Sequence, residues 1–85
     1  MATRLTADVE NPLNGTTVGT TLDDLQEAVG GYIELVYLPD AKIMVVDEEG
    51  LLKSYTVNQE ASLIAQRAIV GDVVIANQDL SLIHI

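Results

Sequence analysis

The sequence predicts a single α+β domain in which a small, mostly antiparallel sheet of about five to six strands carries two short helices. Short segments of alternating or β-branched apolar residues are separated by clusters of turn formers. Two other segments instead show helical spacing behind a capping residue. The chain has 85 residues, enough for one small core, and a domain of this size buries only about 60–65 per cent of its unfolded surface. With no phenylalanine, tryptophan or cysteine, that core must be built from Val, Leu, Ile and Ala.

Residues 3–9 alternate Leu5, Ala7 and Val9 with Arg4, Thr6 and Asp8, the pattern of a half-buried strand whose Arg4 faces solvent or a ligand. Asn14-Gly15 is a turn signal, and the Thr-rich residues 16–20 are expected to return as the second strand of a hairpin. Thr21 precedes Leu22, Leu25 and Val29 at helical spacing, with Asp23 and Asp24 in the first turn, where the helix dipole favours anions. Gly30-Gly31 ends that helix. Residues 32–38 and 42–47 read as a central hairpin joined by Pro39-Asp40-Ala41. Within it Ile33, Leu35 and Tyr37 share one face, and Tyr32, Glu34 and Val36 the other. Glu34 is then either a solvent-facing residue beside Lys42 or a ligand contact.

Asp47, Glu48 and Glu49 lack the spread of oxygens a calcium loop requires, so they read as a solvated turn into a short strand over residues 51–55. Asn58 is placed to cap a second helix with Leu63 and Ile64 as its apolar residues and Arg67 in its last turn. Residues 69–76 close the domain as a buried strand, broken at Gly71-Asp72 by a turn or bulge.

Thirteen acids against Arg4, Lys42, Lys53 and Arg67 give a net charge of −9, which repels phosphate backbones and anionic lipid at long range. Nucleic acid and membrane are therefore not expected partners. The acidity serves either solubility or mimicry of a phosphate backbone. The N-terminus carries no signal-like apolar run and no segment approaches the roughly 20 apolar residues of a membrane span, so a cytoplasmic protein is expected, in a host cell if phage-encoded.

The stretch TLDDLQEAVGGYIELV, the acidic VVDEEGLL turn, Asn58 and the strand IVGDVVIA resemble a family of small bacterial and phage proteins known as a domain of unknown function. In that family a helix of the LQ..VGGYIE type leads into a strand, and an acidic turn, an asparagine and a GD or GT strand follow. One departure is Asp47, where the family typically has asparagine. The resemblance implies a small α+β protein, often encoded near phage accessory genes, and supplies no catalytic residues. The last six residues, LSLIHI, match a translation of the transposon mosaic end used in sequencing libraries, CTG TCT CTT ATA CAC ATC. Residues 80–85 are accordingly expected to be a non-native tail on a domain of residues 1–79, which removes His84 from any mechanism.

Without that histidine and without cysteine, the usual general base and soft nucleophile are absent, so an enzyme is not expected. No cofactor or metal is expected either. The favoured expectation is a non-catalytic small-ligand protein, a phage-encoded sponge that sequesters a nucleotide-derived host immune signal at the interface of a homo-oligomer. Tyr32 and Tyr55 would stack on a base, Arg67 and Arg4 would hold phosphates, and Asn58 and Glu34 would complete the site. Arg67 is the first contact expected. The alternative is an acidic protein-interaction module, a DNA mimic or an inhibitor of a host defence protein, whose carboxylates would gather on one face.

Overall fold

A computed structural model of the chain describes residues 2–53 and 55–78; the expectations for residues 80–85 lie outside them. The elements follow in the order β1 (Ala2–Leu5), β2 (Thr17–Val18), α1 (Leu22–Val29), β3 (Ile33–Leu38), β4 (Lys42–Asp47), a 3-10 turn (Gly50–Leu52), α2 (Gln59–Ala65) and β5 (Val73–Asn77). All five strands join one antiparallel sheet in the order β2-β1-β5-β4-β3. The predicted α+β class holds.

β5, the last strand among the described residues, lies at the centre of the sheet. Val73 and Val74 are fully buried on opposite faces, which is why this segment is apolar without alternation. On one face Leu25 and Val29 of α1 pack over Ile43, Val45 and Val74. On the other, Ala61 of α2 and Ile69 cover Met44, Val46 and Val73. Burying a side chain such as Leu25 contributes about 1.5–3 kcal/mol, so α1 is held chiefly by its inner face. Its ends follow the sequence: Thr21 Oγ1 accepts the Asp24 N–H at 3.1 Å, and Gly30 takes the left-handed conformation at φ 91°.

Several segments depart from expectation. β1 stops at Leu5 because local side chains capture the backbone beyond it: Thr6 N–H donates to Asn14 Oδ1 and Thr6 Oγ1 to the Asp8 carbonyl. Val9, expected inside, is 66% exposed. The strand expected over residues 51–55 does not form at residues 51–53 or at Tyr55. Asp47 Oδ1 accepts the Glu49 N–H at 2.8 Å, and the Leu52 and Lys53 N–H groups reach back to Glu49 and Gly50 in a 3-10 turn.

Helix α2 is shorter than expected and turned differently. Ala61 and Ala65 face the sheet, while Leu63 is 79% exposed. Small alanines let this two-turn helix lie close to the strands. The Ser62 hydroxyl donates to the Asn58 carbonyl and accepts the Ile69 N–H at 2.9 Å, drawing the chain across the end of the helix, and Gln66 turns left-handed at φ 57°. Arg67 therefore lies beyond the helix rather than in its last turn. Residues 69–71 pair with the segment before α2, through Asn58 N–H to Ile69 O and Gly71 N–H to Thr56 O, so β5 starts only at Val73.

Candidate functional site

The sequence-derived candidates do not converge in one chain. Arg67 and Glu34 do share a narrow groove of about 50 Å³ with Leu51 and Ala68. Tyr32 is exposed beside the start of β3. Arg4 is half-buried on β1, on the same side of the strand as Ala2 and therefore in the α1 layer, and its Nε is buried without a partner among the described residues. Asn58 is in the core, 1% exposed. Its Oδ1 accepts the Ala61 N–H, as a cap should, while Nδ2 donates to the Leu5 and Gly71 carbonyls at 3.1 and 3.0 Å. With both amide hydrogens committed, Asn58 is a structural bridge rather than a surface for a ligand.

Tyr55 opens onto a different feature, a cleft of about 440 Å³ between the first loop, the end of α1 and the Gly71-Asp72 turn. Asp8, Glu27 and Asp72 border it together with Asn11, and none of its lining residues is basic. Two of the three carboxylates are fixed by backbone donors: Asp72 Oδ1 accepts the Ala7 N–H and Asp8 Oδ1 the Glu10 N–H, both at 3.0 Å. Glu27 is exposed on α1, the helix that also carries the exposed Asp23 and Asp24. No local pattern in the sequence signals this cluster, since its carboxylates are scattered from residue 8 to residue 72.

The tyrosine at the cleft wall is held by an ion pair whose carboxylate is buried and whose ammonium is exposed. Asp47, which reads from the sequence as part of a solvated turn, is instead buried: Lys53 Nζ donates to its Oδ2 at 2.9 Å and the Tyr55 hydroxyl to the same oxygen at 3.0 Å. Lys53 also reaches the Gly30 carbonyl at 3.3 Å. Glu48 and Glu49 are the exposed members of the trio. Burial alone would push the Asp47 carboxyl up, but hydrogen bonds from Lys53, the Glu49 N–H and Tyr55, together with the Lys53 charge, outweigh it and hold the group below its ordinary value of 3.8. Lys53 and Tyr55 are both pushed up, each chiefly by its bond to Asp47.

These shifts set the direction of the pH dependence. A depressed carboxyl contributes stability that is fully present above 3.8 and lost as pH falls through its folded value. The raised Lys53 and Tyr55 groups contribute stability that is present below 10.5 and 10.0, respectively, and lost as pH rises through their folded values. Asp47→Asn keeps an acceptor for Glu49 but loses the ion pair, and is expected to cost about 1–2 kcal/mol at neutral pH. Urea unfolding should show that cost shrinking below pH 3.8. An equal cost at both pH values would show that the carboxylate charge is not what stabilises the turn.

Among the described residues, no group of three or more His, Asp or Glu is placed to hold a metal ion, and no helix is long and apolar enough to cross a membrane. The fold and cleft together define a small antiparallel sheet protein, helix-covered on both faces, with an acid-lined depression beside one helix. The chain belongs to the family described as Domain of unknown function (DUF3846), whose pattern matches residues 2–81. No curated protein and no solved structure matches it.

Proposed function

We propose that this protein works by binding rather than by catalysis, as an acidic interaction module whose cleft receives a basic side chain of a partner protein. The observation that carries this reading is the grouping of Asp8, Glu27 and Asp72 around one cleft with no basic residue in its lining. Such a site attracts a guanidinium or ammonium group and repels a phosphate. The cleft volume, about 440 Å³, also exceeds what a single arginine side chain needs, leaving space for its flanking backbone. An inhibitor of a nucleic-acid-binding defence protein would use these properties directly.

An arginine-rich peptide is the probe. Titrated into the full chain, it should shift the amide signals of Gly30, Thr56 and Gly71, and binding should weaken as salt is raised. Glu27→Gln is expected to cost about 0.5–1 kcal/mol of affinity. Glu48→Gln, the same charge change outside the cleft, should cost less. Equal losses would reduce the interaction to net charge and defeat the cleft assignment.

One observation favours sequestration of a nucleotide-derived molecule as a second reading: Arg67 and Glu34, both singled out by residue type, line one groove. At about 50 Å³ this groove is far below the roughly 300 Å³ or more of a small-molecule site, so a second protomer would have to supply the rest. Thermal unfolding with a panel of cyclic nucleotides and cyclic ADP-ribose isomers separates the two readings, because only a sponge is stabilised by them.

A further inference from the structure

The geometry points to a homodimer formed by pairing the outer edge of β3 with the same edge of a second copy, antiparallel, with the two-fold axis at Leu35. This inference is independent of the acidic cleft, which lies elsewhere on the molecule. β3 is a terminal strand of the sheet and pairs only with β4 among the described residues. The Glu48 N–H donates to the Tyr32 carbonyl at 2.8 Å, so even-numbered residues of this strand direct their backbone groups toward β4. By the alternation of an antiparallel ladder, Ile33, Leu35 and Tyr37 then direct theirs outward. No hydrogen bond among the described residues reaches those groups.

Protected edges are short, kinked, proline-bearing or charged. The other edge, β2, is protected by being two residues long. β3 has six residues, Ile-Glu-Leu-Val-Tyr-Leu, with one charge and no proline. Its outward-bonding residues are also incompletely covered: Ile33 and Leu35 are half-buried and Tyr37 is 65% exposed.

The sequence of the strand selects one register. Only antiparallel pairings that bring odd-numbered residues opposite one another join the outward groups. Centring on Leu35 sets Ile33 against Tyr37 twice, uses all three outward residues and forms roughly six backbone hydrogen bonds. It also sets Glu34 against Val36. Shifting the pairing by two residues in one direction puts Glu34 directly against its own copy, a like-charge pair. Shifting it in the other direction puts Ile33 against Pro39, which has no N–H to give. The favoured register joins two five-stranded sheets into one continuous sheet and stacks aromatic on β-branched side chains across the seam.

Light scattering on the full chain at micromolar concentration should give twice the 9.1 kDa chain mass, and association should tighten with added salt because each copy carries −9. Amide hydrogen exchange should protect Ile33, Leu35 and Tyr37 in the dimer and expose them on dilution, with Glu34, Val36 and Leu38 protected throughout. Tyr37→Pro removes an outward N–H without touching the β4 ladder and should halve the mass. Tyr37→Asp, which keeps the backbone and adds a carboxylate, should do the same if the proline variant does not fold. Removing residues 80–85 should leave the mass unchanged. A monomer mass for the parent overturns the inference, as does a dimer in which Ile33, Leu35 and Tyr37 exchange rapidly, one that survives both Tyr37 variants, or one lost with residues 80–85.

Discussion

Replacing Asn58 by alanine is expected to destabilise the fold by about 3–4 kcal/mol, read as a lower urea midpoint with an unchanged slope. Losing the helix cap on Ala61 accounts for about 1–2 kcal/mol of that. The two Nδ2 bonds to Leu5 and Gly71 add about 1 kcal/mol each. For a domain with roughly 5–10 kcal/mol of total stability, this is a large share from one polar residue. Asn58→Asp tests the division of labour. Aspartate caps a helix as well as asparagine does, so a residue acting only as a cap would tolerate it. A bridge would not, because at neutral pH the introduced carboxylate offers no donor and faces two carbonyl oxygens. That carboxylate would also be a buried charge, since none of the groups bonded to the side chain at this position among the described residues is basic. A near-neutral Asn58→Asp variant would leave only the cap.

Asn58 also shows how much of the structure is legible in the sequence. Its capping role is readable, because a cap is a local pattern of one polar residue three positions before a helical N–H. Its bridging role is not, since Leu5 and Gly71 are brought to it only by the central placement of β5. The same division recurs elsewhere. Helix α1 and strand β4 match their expected bounds because capping residues, a left-handed glycine and β-branched runs act over a few residues. Residues 51–53 and 69–70 do not, because the Asp47 side chain and the Ser62 hydroxyl redirect the backbone through contacts made only in the folded chain, although the expected break at Gly71-Asp72 does precede β5. Leu63 reads as an inward residue on hydrophobicity alone, yet a helix of seven residues gives too little periodicity to fix which face turns inward. The site is less legible than the fold. Arg67 and Glu34 do share a groove, whereas the cleft carboxylates and the Asp47, Lys53 and Tyr55 cluster arise from tertiary placement.

Gly71→Ala is expected to cost about 3 kcal/mol, and a comparison with Gly15→Ala shows why. Both glycines have positive φ, 76° and 82°, so both substitutions carry a backbone penalty of about 1 kcal/mol. A Cβ at Gly15 meets nothing within 4 Å, whereas one at Gly71 falls 2.6 Å from Cδ2 of the Tyr55 ring. The difference between the two variants therefore isolates the steric cost, about 1–3 kcal/mol for forcing a packed ring aside. That ring cannot simply swing away, because its hydroxyl is bonded to Asp47 and lies 3.0 Å from where a Cβ on Gly30 would sit. Displacing it breaks the Tyr55–Asp47 bond, so Gly71→Ala should also reduce the acid-side loss of stability that the depressed Asp47 carboxyl produces. A double-mutant cycle with Tyr55→Ala gives the direct measurement. With the ring removed, Gly71→Ala should fall to the cost of Gly15→Ala, a coupling of about 1–3 kcal/mol. Additive effects of the two substitutions would place the strain in the backbone alone and free Tyr55 from any role in shaping the turn that borders the cleft.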